Sequence, residues 1–330
     1  MDGQGRVGWG VLGVAGVATR RFVPALIEST NGYLAAVGSR KIERAATLVE
    51  QAGEGRPVDS YQGVLENPAV DVVYIPLPNS LHFEWTLASL AAGKHVLCEK
   101  PLAMRQMHVE ELMRAAAEAH RVVMEGFMYR FHPQYEAGNW DKLLVEIGPI
   151  RTAHVRLSFT FDRPGDIRED PALGGGALWD TGCYCLDLLS WRLGEVIEIQ
   201  AMGDLRDDCD WSAAVQLRFA SGVLATAWWS FDAAISQELT IVGEGGVLDL
   251  KAPFRATGAA AATVDAGGET RVVELPTDDC FRREIEHVGH VVRGEASPAI
   301  LLSDSARWIA VAEQVERQIR SPQKPASRHR

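Results

Sequence analysis

The chain has 330 residues, long for one domain, so two domains are expected. Its 33 basic and 44 acidic residues leave a net charge of -11, which argues against a general nucleic-acid binder. With 47% hydrophobic and 23% charged residues the composition is that of a soluble globular protein, and no apolar run approaches the roughly 20 residues of a membrane helix.

A strand-and-glycine pattern begins by Val7, so no cleaved leader is expected. Five scattered cysteines do not make a disulfide framework, and a reducing cytoplasm is the expected setting. Cys183-Tyr184-Cys185 lacks the spacer of a zinc or redox pair, so no metal site is expected there.

Residues 6–12 read as a short apolar strand that runs into Gly13-Val14-Ala15-Gly16-Val17-Ala18. A helix follows, with Phe22, Val23, Leu26 and Ile27 expected on one face. Strand, tight turn and helix in that order suit a phosphate, which the helix N–H groups and dipole would receive. The glycine pattern is degenerate, with Ala15 at the second glycine position and Ala18 at the last.

The next strand, 33–38, ends in Ser39-Arg40-Lys41 rather than in the carboxylate that holds an NAD ribose. A hydroxyl followed by two cations suits the 2′-phosphate of NADP, so NADP is expected over NAD. A helix over 43–52 and a loop lead to Tyr61. The apolar strand 71–75 ends in Pro76-Leu77-Pro78-Asn79, an extended loop that would lie beside the cofactor's ribose and nicotinamide.

His82 opens a helix that closes at Gly93. Strand 94–97 then runs into Cys98-Glu99-Lys100-Pro101, which sets an ammonium group at the carboxyl edge of the sheet, where open α/β sheets bind ligands. A helix over 107–119 and a strand over 122–124 complete a doubly wound parallel sheet.

From about Tyr129 the pattern changes to strands at 150–161, 195–202, 213–219, 223–231 and 238–243, the mark of an α+β domain with a largely antiparallel sheet. Residues 259–268 are low in complexity and read as a surface hairpin or loop. His287 and His290 stand three apart on the last helical segment; that spacing permits metal ligation, but no carboxylate cluster accompanies them. The resulting division is 1–128, 129–320 and a basic tail at 321–330.

The blocks Pro76-Leu77-Pro78-Asn79-Ser80-Leu81-His82, Ala92-Gly93-Lys94-His95-Val96, Glu99-Lys100-Pro101, Glu125-Gly126-Phe127-Met128-Tyr129-Arg130-Phe131-His132-Pro133 and Gly174-Gly175-Gly176-Ala177-Leu178-Trp179-Asp180-Thr181-Gly182-Cys183-Tyr184 stand in an order that resembles the Gfo/Idh/MocA family of NAD(P)-dependent oxidoreductases. The segment from Phe161 to Arg168 and Tyr184, where many relatives carry histidine, resemble the branch of dihydrodiol dehydrogenase, xylose dehydrogenase and sugar ketoreductases.

The resemblance implies a Rossmann domain followed by an open-faced sheet that often forms a dimer, and hydride transfer at a carbinol or carbonyl carbon of a sugar or its derivative. It gives Lys100, Asp180 and Tyr184 as the catalytic set. Gly13, Val14, Ala15, Gly16, Val17, Ala18, Ser39, Arg40, Lys41, Pro76, Leu77, Asn79, His82, Glu99, Lys100, Arg168 and Trp179 are the cofactor-binding candidates. His132 is a further pocket candidate.

Tyr184 would give the proton to a forming alkoxide, and a nearby Lys100 ammonium would lower its pKa. Asp180, four residues earlier, would orient a sugar hydroxyl or hold Lys100 charged. The glycine run would let backbone approach the nicotinamide. Three readings stay open beside a free-sugar or dihydrodiol dehydrogenase: a ketoreductase of dTDP-linked deoxysugars, an enzyme that shuttles hydride between two sugars, and a non-catalytic NADPH-binding regulator.

Overall fold

The computed structural model describes residues 1–3, 5–254 and 260–321. Ala259 of the expected 259–268 hairpin and residues 322–330 of the basic tail lie outside them. The amino-terminal half alternates strand and helix: β1 Val7–Leu12, α1 Val23–Glu28, β2 Gly32–Gly38, α2 Ile42–Ala52, β3 Arg56–Val58, α3 Tyr61–Leu65, β4 Val72–Ile75, α4 Asn79–Ala91, β5 His95–Glu99, α5 Gln106–Ala119 and β6 Val123–Gly126. Its strands form a six-stranded parallel sheet in the order β3-β2-β1-β4-β5-β6.

β1 and β4 are buried along their whole length, as strands covered on both faces must be. The strand order reverses between β1 and β4, and a crevice opens there at the carboxyl edge.

The second half contains α6 Ala137–Ile147, β7 Ile150–Thr160, α7 Cys183–Leu193, β8 Val196–Arg206, β9 Cys209–Phe219, β10 Leu224–Ser230, β11 Asp232–Gly243, β12 Gly246–Leu250, β13 Ala260–Ala266, β14 Glu269–Leu275, α8 Cys280–Val292 and α9 Leu302–Arg320. Eight strands form one sheet, β14-β13-β12-β11-β7-β10-β9-β8, antiparallel except for β7 beside β10. Helices α7 and α9 pack on this sheet, while α8 and α9 also reach back to α1 and α5 of the first half. The other sheet face is open, with Met202 and Leu224 exposed on it.

Two local expectations are corrected. Ile27 is 47% exposed, although Phe22, Val23 and Leu26 are buried. A π-helical turn over Ala18–Phe22 precedes α1, and its wider winding rotates the following face away from the ordinary helical spacing. The segment before Tyr61 holds the edge strand β3, short and containing Pro57. In β10, Trp229 is fully buried while Trp228 is half-buried on the opposite face, as strand alternation requires.

Candidate active site

The crevice begins at the turn after β1. Gly13 has φ +96, a conformation open chiefly to glycine, and a Cβ there would crowd Leu77 Cδ2 at 3.1 Å. At Gly16 a Cβ would lie 2.5 Å from Nη2 of Arg20, so the missing side chain lets this guanidinium fold over the turn. The helix starts at Gly16, where Thr19 N already bonds Ala15 O; among the described residues no side chain caps the preceding N–H groups, which leaves them open to an anion. Ala18 is buried, so only its backbone can face a ligand. Arg44 donates through Nη2 to Val14 O at 2.7 Å and braces the turn from α2.

At the end of β2, Ser39 is buried: its N–H donates to Val58 O, and its Oγ accepts from Lys41 N at 3.2 Å. Arg40 and Lys41 are exposed, with no ion-pair partner among the described residues. A cradle of glycine turn and open helix end, with free cations one strand away, fits a dinucleotide carrying a 2′-phosphate.

Beyond the turn lies a cavity of about 750 Å³. Ala15, Gly16, Val17, Pro76, Leu77, Asn79, His82, Glu99, Lys100 and Arg168 line it, as do Asp180, Thr181 and Tyr184. Asn79 Nδ2 donates to Gly174 O at 2.8 Å, joining α4 to the glycine run. Trp179 is 3% exposed and borders a neighbouring cleft on the far side of Gly174 and Gly175 instead.

His82 is wholly buried between two carbonyls, Nδ1 2.6 Å from Pro101 O and Nε2 2.8 Å from Leu77 O. A neutral imidazole has one N–H, so His82 donates to one of these carbonyls and packs its other nitrogen against the second, between the Leu77 and Pro101 loops. Burial pushes its pKa down, against the pull of the two carbonyls. His132 lies outside the cavity wall and accepts from Gln134 N.

At the far end β5 delivers Lys100, whose peptide to Pro101 is cis. Lys100 Nζ donates to Asp180 O at 2.7 Å and to Asp180 Oδ1 at 2.9 Å, closing an 80-residue sequence gap. The other carboxylate oxygen, Oδ2, accepts from Arg168 Nε at 2.7 Å. Burial alone would lower the Lys100 pKa, but the Asp180 carboxylate reverses this and holds it above its ordinary value. Asp180 is held well below the usual carboxylate range: burial works against it, and Lys100 and then Arg168 overcome burial. Each carboxylate oxygen of Asp180 thus already accepts one charge-assisted hydrogen bond, from Lys100 on Oδ1 and from Arg168 on Oδ2.

Tyr184 stands one helical turn on, its ring centroid 4.8 Å from Lys100 Nζ. Among the described residues its hydroxyl meets only the thioether of Met128, at 3.7 Å, a weak acceptor that leaves the phenolic proton available. Lys100 does pull the phenol's pKa down, as the sequence leads one to expect. Burial outweighs that pull, and the net shift is upward. Glu99 turns to β4, where Tyr74 Oη donates to it at 2.6 Å, and burial pushes its carboxyl up.

Three contributors escape a sequence reading. Arg20 carries no motif of its own. Asp210 of β9 is buried and accepts from Leu178 N at 2.8 Å and Trp229 Nε1 at 3.1 Å, anchoring the segment that presents Asp180; burial raises its pKa to about 6. Glu125 is buried, accepts from Leu102 N and Trp308 Nε1, and so ties the Lys100 corner to α9; burial lifts its pKa to about 7. An acidic residue inside an apolar strand was the available signal for both.

Met128, Leu157, Phe159, Phe254 and Phe281 form an apolar part of the cavity wall, which elsewhere carries polar groups that include Arg163 and Asp166. Gln237 also faces it, with Oε1 accepting from Phe254 N at 3.1 Å. His287 accepts from Ala299 N and His290 pairs with Glu295, so the two do not converge. No cluster of three metal-ligating side chains occurs among the described residues.

Residues 7–127 match the oxidoreductase family with NAD-binding Rossmann fold, GFO/IDH/MocA, and residues 145–249 match the GFO/IDH/MocA C-terminal domain. The chain is 33% identical to D-xylose 1-dehydrogenase (NADP(+)) 2 of Haloferax volcanii, over 88% of this chain and 91% of that protein. It is 26% identical to trans-1,2-dihydrobenzene-1,2-diol dehydrogenase of Xenopus tropicalis, over 94% of this chain and 97% of that protein. The crystal structure of a 3-ketoreductase from Actinomadura kijaniata in complex with NADP and TDP-benzene aligns with a TM-score of 0.88 at 31% identity, covering 97% of this chain and 100% of that one.

Proposed function

The chain belongs to the Gfo/Idh/MocA oxidoreductase family, and on that premise we propose that it is an NADP-dependent oxidoreductase of a sugar or sugar derivative, working through Lys100, Asp180 and Tyr184. The observation that carries the reading is their meeting at one end of a cavity whose other end is the glycine turn. Gly13, Gly16, the open helix end and Arg20 would hold the pyrophosphate, and Arg40 with Lys41 the 2′-phosphate. Bound there, the nicotinamide supplies or accepts the hydride.

The chain's own part is proton transfer and charge. Tyr184 gives its phenolic proton to the carbonyl oxygen during reduction and takes it back during oxidation. Of the three N–H groups of Lys100, two are engaged by Asp180. The third is free for the reacting oxygen, where a charge-assisted bond stabilises the alkoxide as it forms. Met128, Leu157, Phe159, Phe254 and Phe281 offer an apolar face to a partly deoxygenated sugar or a dihydrodiol, while Gln237, Arg163 and Asp166 offer hydrogen-bonding groups to sugar hydroxyls.

A second reading, a nucleotide-linked ketosugar, is supported by Arg163, an exposed cation on the cavity wall without an acidic partner among the described residues. A non-catalytic NADPH sensor would have no use for the three-residue constellation. The open sheet face is where a second copy would dock, which light scattering tests. Assaying NADPH and NADH with D-xylose, 6-deoxyhexoses, dihydrodiols and dTDP-ketosugars decides the substrate; absence of turnover with all of them would overturn the proposal.

A further inference from the structure

Arg168 lies on the cavity wall, yet its guanidinium is turned to the carboxylate of Asp180. Two features fix it there. Asp166 Oδ1 accepts from both the backbone N–H and Nη1 of Arg168, each at 3.1 Å. The Arg168 carbonyl accepts from Gly176 N at 2.9 Å and would lie 2.6 Å from a Cβ at Gly175. The segment bearing Arg168 is thereby locked against the glycine turn that leads into Asp180.

The consequence is geometric. The terminal torsion of an aspartate is soft, and a carboxylate held by a single partner can rotate. Asp180 is held at both oxygens, by Lys100 on Oδ1 and Arg168 on Oδ2. One N–H of Lys100 is held by the Asp180 backbone carbonyl; a fixed carboxylate fixes the second, on Oδ1, and the two together set the direction of the third. We propose that Arg168 is a positioning residue for the reaction: by pinning Asp180 it aims the remaining N–H of Lys100 at the reacting oxygen.

The inference rests on the hydride-transfer reading above. Arg168→Ala should lower kcat about 10- to 100-fold, the scale of a misplacement near 1 Å. The KM for the best substrate of the panel and the NADPH dissociation constant, followed by protein fluorescence, should stay within about twofold. Added guanidinium ion should restore part of kcat, and Arg168→Lys should fall between wild type and alanine.

Wild-type kcat in Arg168→Ala would overturn the proposal. So would unchanged kcat with NADPH affinity weakened at least tenfold, which would make Arg168 a cofactor contact. A crystal structure of Arg168→Ala provides the readout free of turnover: the Asp180 carboxylate should rotate and Lys100 Nζ should shift. An unmoved pair refutes the positioning role whatever the activity, whereas a wild-type enzyme inert toward the whole panel refutes the functional reading instead.

Discussion

Replacing Lys100 with methionine keeps the stem and removes the charge. Three losses follow. The reacting oxygen loses its charge-assisted donor, Tyr184 loses the cation 4.8 Å from its ring, and Asp180 loses both hydrogen bonds from Lys100. One preorganised donor accounts for about 10²–10³ in turnover; with the effect on the phenol added, kcat should fall by about two to four orders of magnitude.

The fold should survive. Asp180 keeps Arg168, and the Lys100 and Asp180 side chains retain 12% and 18% exposure, so the cost should be about 1–3 kcal/mol rather than that of a fully buried orphaned charge. The assay is the initial rate of NADPH oxidation, with NADPH affinity from fluorescence and stability from urea unfolding. A kcat within threefold of wild type would refute the reasoning. So would a loss wholly explained by weaker NADPH binding, which would make Lys100 a cofactor anchor.

Other predictions can be checked on the same preparation. Arg40→Ala with Lys41→Ala should weaken NADPH binding about 10- to 100-fold, the effect of one to two charge-assisted bonds, and leave NADH unchanged; equal losses for both would remove the 2′-phosphate assignment. Because burial holds the Tyr184 phenol above its ordinary value, the protonated donor persists at neutral pH. Reduction should therefore be level from about pH 6 to 9, while oxidation, which needs the phenolate, climbs with a slope near one in log kcat. A plateau in oxidation near pH 7 would contradict the upward shift.

Asp210 has a folded pKa raised to about 6. The proton is bound more tightly in the folded state, so its stabilising contribution is present at acid pH and lost as pH rises through about 6. Urea unfolding of wild type against Asp210→Asn should show the difference shifting against wild type between pH 4 and 6, by up to about 2–3 kcal/mol; parallel curves would refute it.

Local and periodic features were open to reading from the sequence. The parallel sheet followed from strands such as Val72–Ile75, apolar on both faces, and from the Gly93 and Pro101 boundaries. The proposed catalytic set was legible only because motif order joins Lys100 to a block 80 residues later; no spacing rule predicts that contact. What stayed hidden depends on long-range packing. Arg168 was placed with the cofactor, and nothing local announces that Asp180 lies within 2.7 Å of its Nε. Asp210 reaches the catalytic segment from another strand. The net direction of the Tyr184 shift required its burial, which a nearby cation in sequence does not disclose. Ile27 turned outward because one π-turn changes the winding.

The central claim is proton transfer by Tyr184 under the charge of Lys100, and single-turnover oxidation of bound NADPH tests it most directly. Wild type mixed with the preferred ketosugar should oxidise one equivalent of NADPH per site in a fast phase. Tyr184→Phe, with NADPH affinity unchanged, should slow that phase at least a hundredfold. A wild-type single-turnover rate in Tyr184→Phe would contradict the account.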